Sequence, residues 1–176
     1  MAKNHGKIFE EDIERSAKKQ KIFFHRNKDV HIPFNVRQLL AKHNMVLPVS
    51  RNKYDNFLFH KGYLFPLELK STAQKSISFD EKIIKAHQIK YLKEAAEYEN
   101  TIPGFIFNFR NYDNQTFFVH IDDFIAYKDI AEKGKEHTYK SKVNKSSISL
   151  GICKEIGVEI KNKISRSRYI YDLNDF

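Results

Sequence analysis

Apolar positions recur along this chain with two different periods. Over residues 6–21, GKIFEEDIERSAKKQK, the spacing puts Phe9, Ile13, Ser16, Ala17 and Gln20 on one side of an amphipathic helix. Acids fill its first turns and lysines its last, the sense that the helix dipole favours. IFFHR and DVHIPFNV read as short extended segments, the second interrupted by Pro33. RQLLAKHNMVLPVSRNK reads as partly helical, stopped by Pro48 and basic at both ends. Two apolar runs joined by Lys61-Gly62, YDNFLFHKGYLFPLELK, predict a β-hairpin. STAQKSIS reads as a polar loop, and Ser78 with Glu81 as the capping box of a helix running to about Asn100. GFIFNFR and TFFVHI are aromatic strands turned by NYDNQ, DDFIAYKDIAEK is a short helix, and residues 134–147 form a Lys-rich loop. The tail ends in a strand with a basic approach. Strands interleaved with helices predict one α/β domain over residues 1–176, built on a mixed sheet flanked by helices.

The hairpin brings chemistry into view. With Lys61-Gly62 as a two-residue turn, His60 faces Tyr63, and the same register sets Asp55 opposite Glu68 with Cβ atoms about 5 Å apart. Lys70, two residues beyond Glu68, shares its face. Pro66 has no amide hydrogen for a ladder, and a bulge there would shift this register. Two opposed carboxylates among Phe57, Phe59 and Leu64 repel unless a cation lies between them. A divalent ion with a preference for hard oxygen ligands, Mg²⁺ or Mn²⁺, would answer that need. A surface ion pair in which Lys70 neutralises Glu68 would answer it too.

Composition narrows the class of partner. The 176 residues include 41% apolar positions, 15 Phe and 9 Tyr, enough for a packed core. A formal net charge of +9 favours polyanions, above all nucleic acid. Cys153 is the single cysteine, which excludes an intrachain disulfide and suits a reducing compartment. The charged N-terminal stretch lacks the apolar core of a signal peptide, and no apolar run approaches a membrane span. A cytoplasmic protein without a membrane partner is expected.

Asp55 followed by Glu68-Leu69-Lys70 after a hairpin resembles the PD-(D/E)xK nuclease signature. The wider segment YDNFLFHKGYLFPLELKST is similar to RecU-type Holliday-junction resolvases, as are NHGKIFEEDIERS, AHQIKYL, FVHIDDFIAY and SRYIYDL in the same order. One departure is Tyr54, where the superfamily motif has Pro. The resemblance implies a restriction-endonuclease-like core and a Mg²⁺-dependent endonuclease that resolves four-way junctions. It implies Asp55, Glu68 and the Leu69 carbonyl as metal ligands, and Lys70 as the group that orients or deprotonates the attacking water. Family spacing from Gly6 selects Glu10 on the first helix. The apolar stripe agrees, since Glu10 flanks Phe9 and Ile13 whereas Glu11 points away. Gln88 shares a stripe with Ile84, Tyr91 and Ala95 and faces inward, as a core amide or as a residue supporting the site; His87 beside it reads as a surface histidine. The segment from about 37 to 52 corresponds to the family's protruding stalk, with Arg37, Lys42 and Arg51, joined by Lys53, as DNA-binding residues; a packed helix followed by a loop is the plainer reading. Family members act as homodimers, and the aromatic strands and the 169–176 tail offer apolar material for an interface or for the core. Two rivals stand beside junction resolution: a PD-(D/E)xK endonuclease acting on flaps, duplex ends or restriction-type targets, and a non-catalytic basic DNA-binding module.

Overall fold

The computed structural model describes residues 4–27, 32–45 and 52–176. Helix α1, His5–Gln20, starts where the Asn4 side chain accepts the Lys7 amide and ends at Lys21 in the left-handed conformation. Phe9, Ile13, Ser16 and Ala17 are buried along it as the pattern predicts. Asp12, three residues after Phe9 and four before Ser16, is buried on the same stripe although it is an acid.

Strand β1, Phe23–Arg26, pairs antiparallel with β2, Asn56–His60, which pairs antiparallel with β3, Tyr63–Thr72. Lys61 and Gly62 both take positive φ, 51° and 86°, the twist a two-residue hairpin turn requires. His60 faces Tyr63 and Asn56 faces Leu67, so the predicted register holds through Pro66, with no bulge. Pro66 is accommodated on the other side of β3. Leu64 bridges Thr101 there, donating to the Asn100 carbonyl and accepting from Ile102 N–H, and the parallel ladder with β5, Gly104–Phe109, starts only at Leu67. In that register Pro66 faces Pro103, so the missing donor falls in the gap of the ladder.

β6, Gln115–His120, and β8, Val158–Glu159, complete a six-stranded sheet of order β1-β2-β3-β5-β6-β8, mixed through the single parallel pair β3–β5. One face is covered by α1 and by the hairpin of β9, Asn162–Ser165, with β10, Arg168–Tyr171. Against the other pack α3, Ala86–Ala95, α4, Ile121–Lys133, and α5, Leu150–Ile156, with a short ribbon of β4, Ser76–Ser78, and β7, Ser147–Ser149. Among the described residues no helix is long and apolar enough to cross a membrane.

Several local expectations are corrected. Phe34–Val36 are not extended: α2, Phe34–Lys42, begins directly after Pro33, whose fixed φ of −55° suits a helix start. Residues 71–78 are not one loop, because Ser71 and Thr72 continue β3 and Ile77 is buried in β4. The Ser78–Glu81 capping box does not form. Ser78 Oγ accepts the Asp80 amide and Asp80 Oδ1 the Lys82 amide, local bonds that fold this stretch into turns and delay α3 to Ala86. The same helix stops at Ala95, short of Asn100. The tail carries α5, β8 and β9 before its last strand. Its aromatic end is core: Tyr171 and Leu173 are buried, and the Phe176 ring packs on Phe65 and Phe118.

Gly104 tests the sheet's closest approach. A Cβ there would lie 2.6 Å from Phe118 Cε2 and closer still to the Val119 carbonyl oxygen, which the β5–β6 ladder fixes. Gly104→Ala is expected to cost about 3 kcal/mol or more and to lower Tm by roughly 10 °C in a thermal melt; an unchanged melt would show that the β5–β6 contact relaxes freely.

Candidate active site

The antiparallel register carries Asp55 to the mouth of β2, one step beyond the Asn56–Leu67 pair, opposite Glu68 on β3. The Asp55 amide donates to Glu68 Oε1 at 3.2 Å. Glu68 and Lys70 project from the face covered by α3, since their neighbours on β5 are Phe105 and Phe107 of the same core. Leu69 projects to the α1 face, so only its main chain is available to the site.

The first turn of α3 closes the arrangement. Lys85 is extended at the helix start, and Gln88, three residues on, accepts the Lys85 amide at 3.1 Å. The same Oε1 accepts from Lys70 Nζ at 3.0 Å, while Gln88 Nε2 donates to Glu68 Oε2. Lys70 Nζ also lies 3.7 Å from Glu68 Oε2. The amide of Gln88 therefore holds acid and ammonium in fixed relation, and all three side chains are largely withdrawn from water. Of the two readings of Gln88, the one that supports the site fits these bonds.

Burial sets the electrostatics. It pushes the Glu68 carboxyl up to about 8, and the charge of Asp55 adds to the rise while Lys70 opposes it. Burial likewise holds Lys70 below its ordinary value, against the pull of Glu68 and Asp55. Glu10 on α1 is raised by burial, offset by Arg26, with Asp55 and Lys70 both in its field. It pairs with Arg26 of β1, whereas Glu11 turns to Arg168 at 3.2 Å. Helix phasing thus separates the two acids as the sequence predicts.

A cleft of about 460 Å³ opens onto Asp55, Glu68 and Gln88, and its rim carries Asn52, Lys53, Glu81, Lys85 and His87. Lys53 is exposed but pairs with Glu94 at 3.3 Å and lies over the Tyr91 ring. His87 is half-buried and tilts against Tyr91, so it is not the simple surface residue expected. Arg37 and Lys42 are exposed on α2, none of whose residues is buried; Arg51 lies outside the described residues, as do 46–50 of the stalk-like segment. Sequence reasoning missed Arg26, Lys85 and Glu81. Arg26 could have been found by its strand register opposite Asn56, but the other two depend on turns that the capping signals misassigned.

Among the described residues no three His, Cys, Asp or Glu side chains cluster as a ready metal cage. The donor set nevertheless fits Mg²⁺, which keeps several waters and takes one or two carboxylates. Asp55 and Glu68 supply two, brought side by side where the cleft opens.

The raised Glu68 has a consequence for stability. Between about pH 4.5 and about pH 8 the folded carboxyl keeps a proton that the unfolded one has lost, so this group costs more stability as pH rises. In chelator, Tm is expected to fall across that window, and Glu68→Gln to flatten the fall. Melts at several pH values check it; a parallel slope in the variant would show Glu68 ionised throughout.

Comparison with known proteins bears on the family and the fold. The family described as Recombination protein U matches residues 4–166. The SPbeta prophage-derived uncharacterized protein YotM of Bacillus subtilis (strain 168) is 57% identical over 173 residues, 98% of this chain and 85% of that one. In fold, the chain is similar to the Holliday junction resolvase Hjc of Archaeoglobus fulgidus, with a TM-score of 0.51 and 11% identity over 88% of this chain and 95% of the other. With the family matched over nearly its whole length and a majority of positions shared with YotM, this chain belongs to the Recombination protein U family.

Proposed function

We propose that this protein is a structure-selective DNA endonuclease that resolves four-way junctions during recombination and repair, by divalent-metal-dependent hydrolysis of phosphodiester bonds. The observation that carries the reading is the linkage Glu68–Gln88–Lys70 beside Asp55, in a chain of this family. Asp55, Glu68 and the Leu69 carbonyl would hold Mg²⁺, or Mn²⁺ in its place, which supplies Lewis acidity and positive charge at the phosphate. Lys70, lowered by burial, sits where its neutral amine can take a proton from an attacking water or its ammonium can offset charge on the pentavalent phosphorus. Gln88 keeps that ammonium in one position, and Glu10, held by Arg26, faces the same charges from α1. Arg37 and Lys42 on the exposed α2, with Arg51 and Lys53, would engage phosphate.

A symmetric substrate calls for a symmetric enzyme. A homodimer presents two identical sites to the two-fold symmetry of a junction. The apolar tail is spent inside the protomer, but Phe23 and Phe59 face each other in register and are 60% and 50% exposed on the edge of the sheet. Phe34, Leu39 and Met45 on and after α2 are more than half exposed too. These surfaces, rather than β5, β6 or the tail, are where a second copy would pack.

Cleavage of an immobile four-way junction against linear duplex, titrated with Mg²⁺, is the test. Paired cuts on the junction alone are expected; equal cutting of flaps or duplex ends would favour a nuclease of other substrate, and binding without cutting in any metal a DNA-binding module. Asp55→Asn and Glu68→Gln are expected to abolish cutting while junction affinity changes little, because affinity rests on basic contacts. Lys70→Ala is expected to lose about 10²–10³-fold in rate. Glu10→Gln should impair cleavage and Glu11→Gln leave it nearly normal, with single-turnover rates as the readout. Sedimentation of the free protein should give a dimer.

A further inference from the structure

The β9–β10 hairpin stands outside the main sheet, yet it is tied to the candidate site twice. The first tie is to α1. Arg15 Nη2 donates to the Tyr169 carbonyl at 3.0 Å and Tyr171 N–H to Ser16 Oγ at 2.9 Å, so helix side chains cover the free edge of β10. Further toward the helix N-terminus, Arg168 Nε bonds Asp12 Oδ1 at 2.6 Å and its Nη2 reaches the Ile8 carbonyl at 3.3 Å. β10 therefore runs along α1 with the turn at the helix's N-terminal end, the end that bears Glu10.

The second tie runs through the sheet. Arg110 Nη1 donates to Ser71 Oγ at 3.2 Å, and Ser71 Oγ to Asn108 Oδ1 at 2.7 Å. Asn108 Nδ2 donates to Asn114 Oδ1 at 2.8 Å, and Asn114 and Asn162 exchange bonds of 3.2 and 3.0 Å. An unbroken chain of hydrogen bonds thus leads from the residue after Lys70 to the base of β9. Asn108 and Asn114 are buried, and a satisfied buried network fixes geometry.

What this anchored element presents is positive charge. Residues 160–171 contain Lys161, Lys163, Arg166 and Arg168 and no acid. Arg168 is held by Asp12 and Glu11, and Asp172 lies in the field of Lys161 and Lys163. Lys163 and Arg166 are exposed, and no carboxylate among the described residues is within ion-pair distance of either. Some surface lysines elsewhere are already paired, Lys133 and Lys135 with Asp129 and Lys93 with Asp122. Arg166, at φ 60°, forms the tip, and Ile164 beside it is 66% exposed although it continues the core-facing row of Asn162, Tyr169 and Tyr171.

We propose that this hairpin grips the phosphate backbone of a duplex DNA arm through Lys163 and Arg166, holding that arm at a fixed distance from Lys70. The inference rests on the nuclease reading above. A pre-anchored cationic tip loses little entropy on binding, and phosphate contacts set position without reading sequence.

Binding of an immobile four-way junction across a salt series tests it, in the Asp55→Asn background so that DNA stays intact. With Lys163→Glu and Arg166→Glu together, affinity is expected to fall at least about tenfold and the slope of log affinity on log salt to shrink by about 2. Lys133→Glu with Lys135→Glu, on lysines already paired, should change the slope far less. Lys163→Ala with Arg166→Ala serves if the reversed charges disturb folding, which a thermal melt reports. Unchanged affinity and slope in a folded variant would overturn the hairpin assignment alone. A parent protein that binds no junction at all would overturn the nuclease reading and this inference with it.

Discussion

A carboxyl group withdrawn from water beside a second acid is the constraint around which the structure is arranged. Glu68 sits on the central strand with its side chain 1% exposed, and Asp55 is brought opposite by the hairpin. Left alone, such a pair would be strongly destabilising. The fold meets the demand with short-range partners: the Asp55 amide, the Gln88 amide and the Lys70 ammonium. Each partner comes from an element whose position is fixed for other reasons. Asp55 follows from the turn at Lys61-Gly62, Lys70 from the parallel pairing of β3 with β5, and Gln88 from the helix start at Lys85. The residual mismatch, a carboxyl still far above its ordinary value, is the kind of imbalance that collects where chemistry is done.

The parts of this site legible in the sequence are those set by period-two geometry. A two-residue turn with a glycine fixes register, and register alone places Asp55, Glu68 and Lys70 on one face. Helix periodicity likewise separates Glu10 from Glu11 and turns Gln88 inward. What stayed illegible depends on competition among local hydrogen bonds. Ser78, Asp80 and Glu81 have the composition of a helix start, but their side chains bond amides within the turn or reach forward to Ala86. Sequence offers no means of ranking those alternatives, so Lys85 and Glu81 were not placed at the rim of the cleft. Pro66 was a different matter. Whether its missing donor mattered depended on the opposite strand, and the answer, a gap facing Pro103, lies 37 residues away in the chain.

Polar groups do unusual work in this core. Asp12 shares its Oδ1 with Arg15 and Arg168, and the Asn108–Asn114–Asn162 chain is joined by the Tyr171 hydroxyl, which accepts from Asn114 at 2.9 Å. An apolar core of equal volume would pack as well, but it would not specify one orientation of the hairpin relative to β3. A pattern reading treats such residues as solvent-facing, which is why Asp12 escaped it.

The docking of α1 on β10 has a consequence in time. Residues 12, 15 and 16 meet partners about 155 positions further along, as the separations of 154 to 156 show. Chains grow from the N-terminus, so the helix that bears Glu10 is among the first segments made and among the last to find its neighbours. Until the residues near 168 have emerged, its buried face, Asp12 included, has no complete surface to occupy. A molecule broken off before β10 would keep Asp55, Glu68 and Lys70 on their strands but lose the partners that seat the helix bearing Glu10.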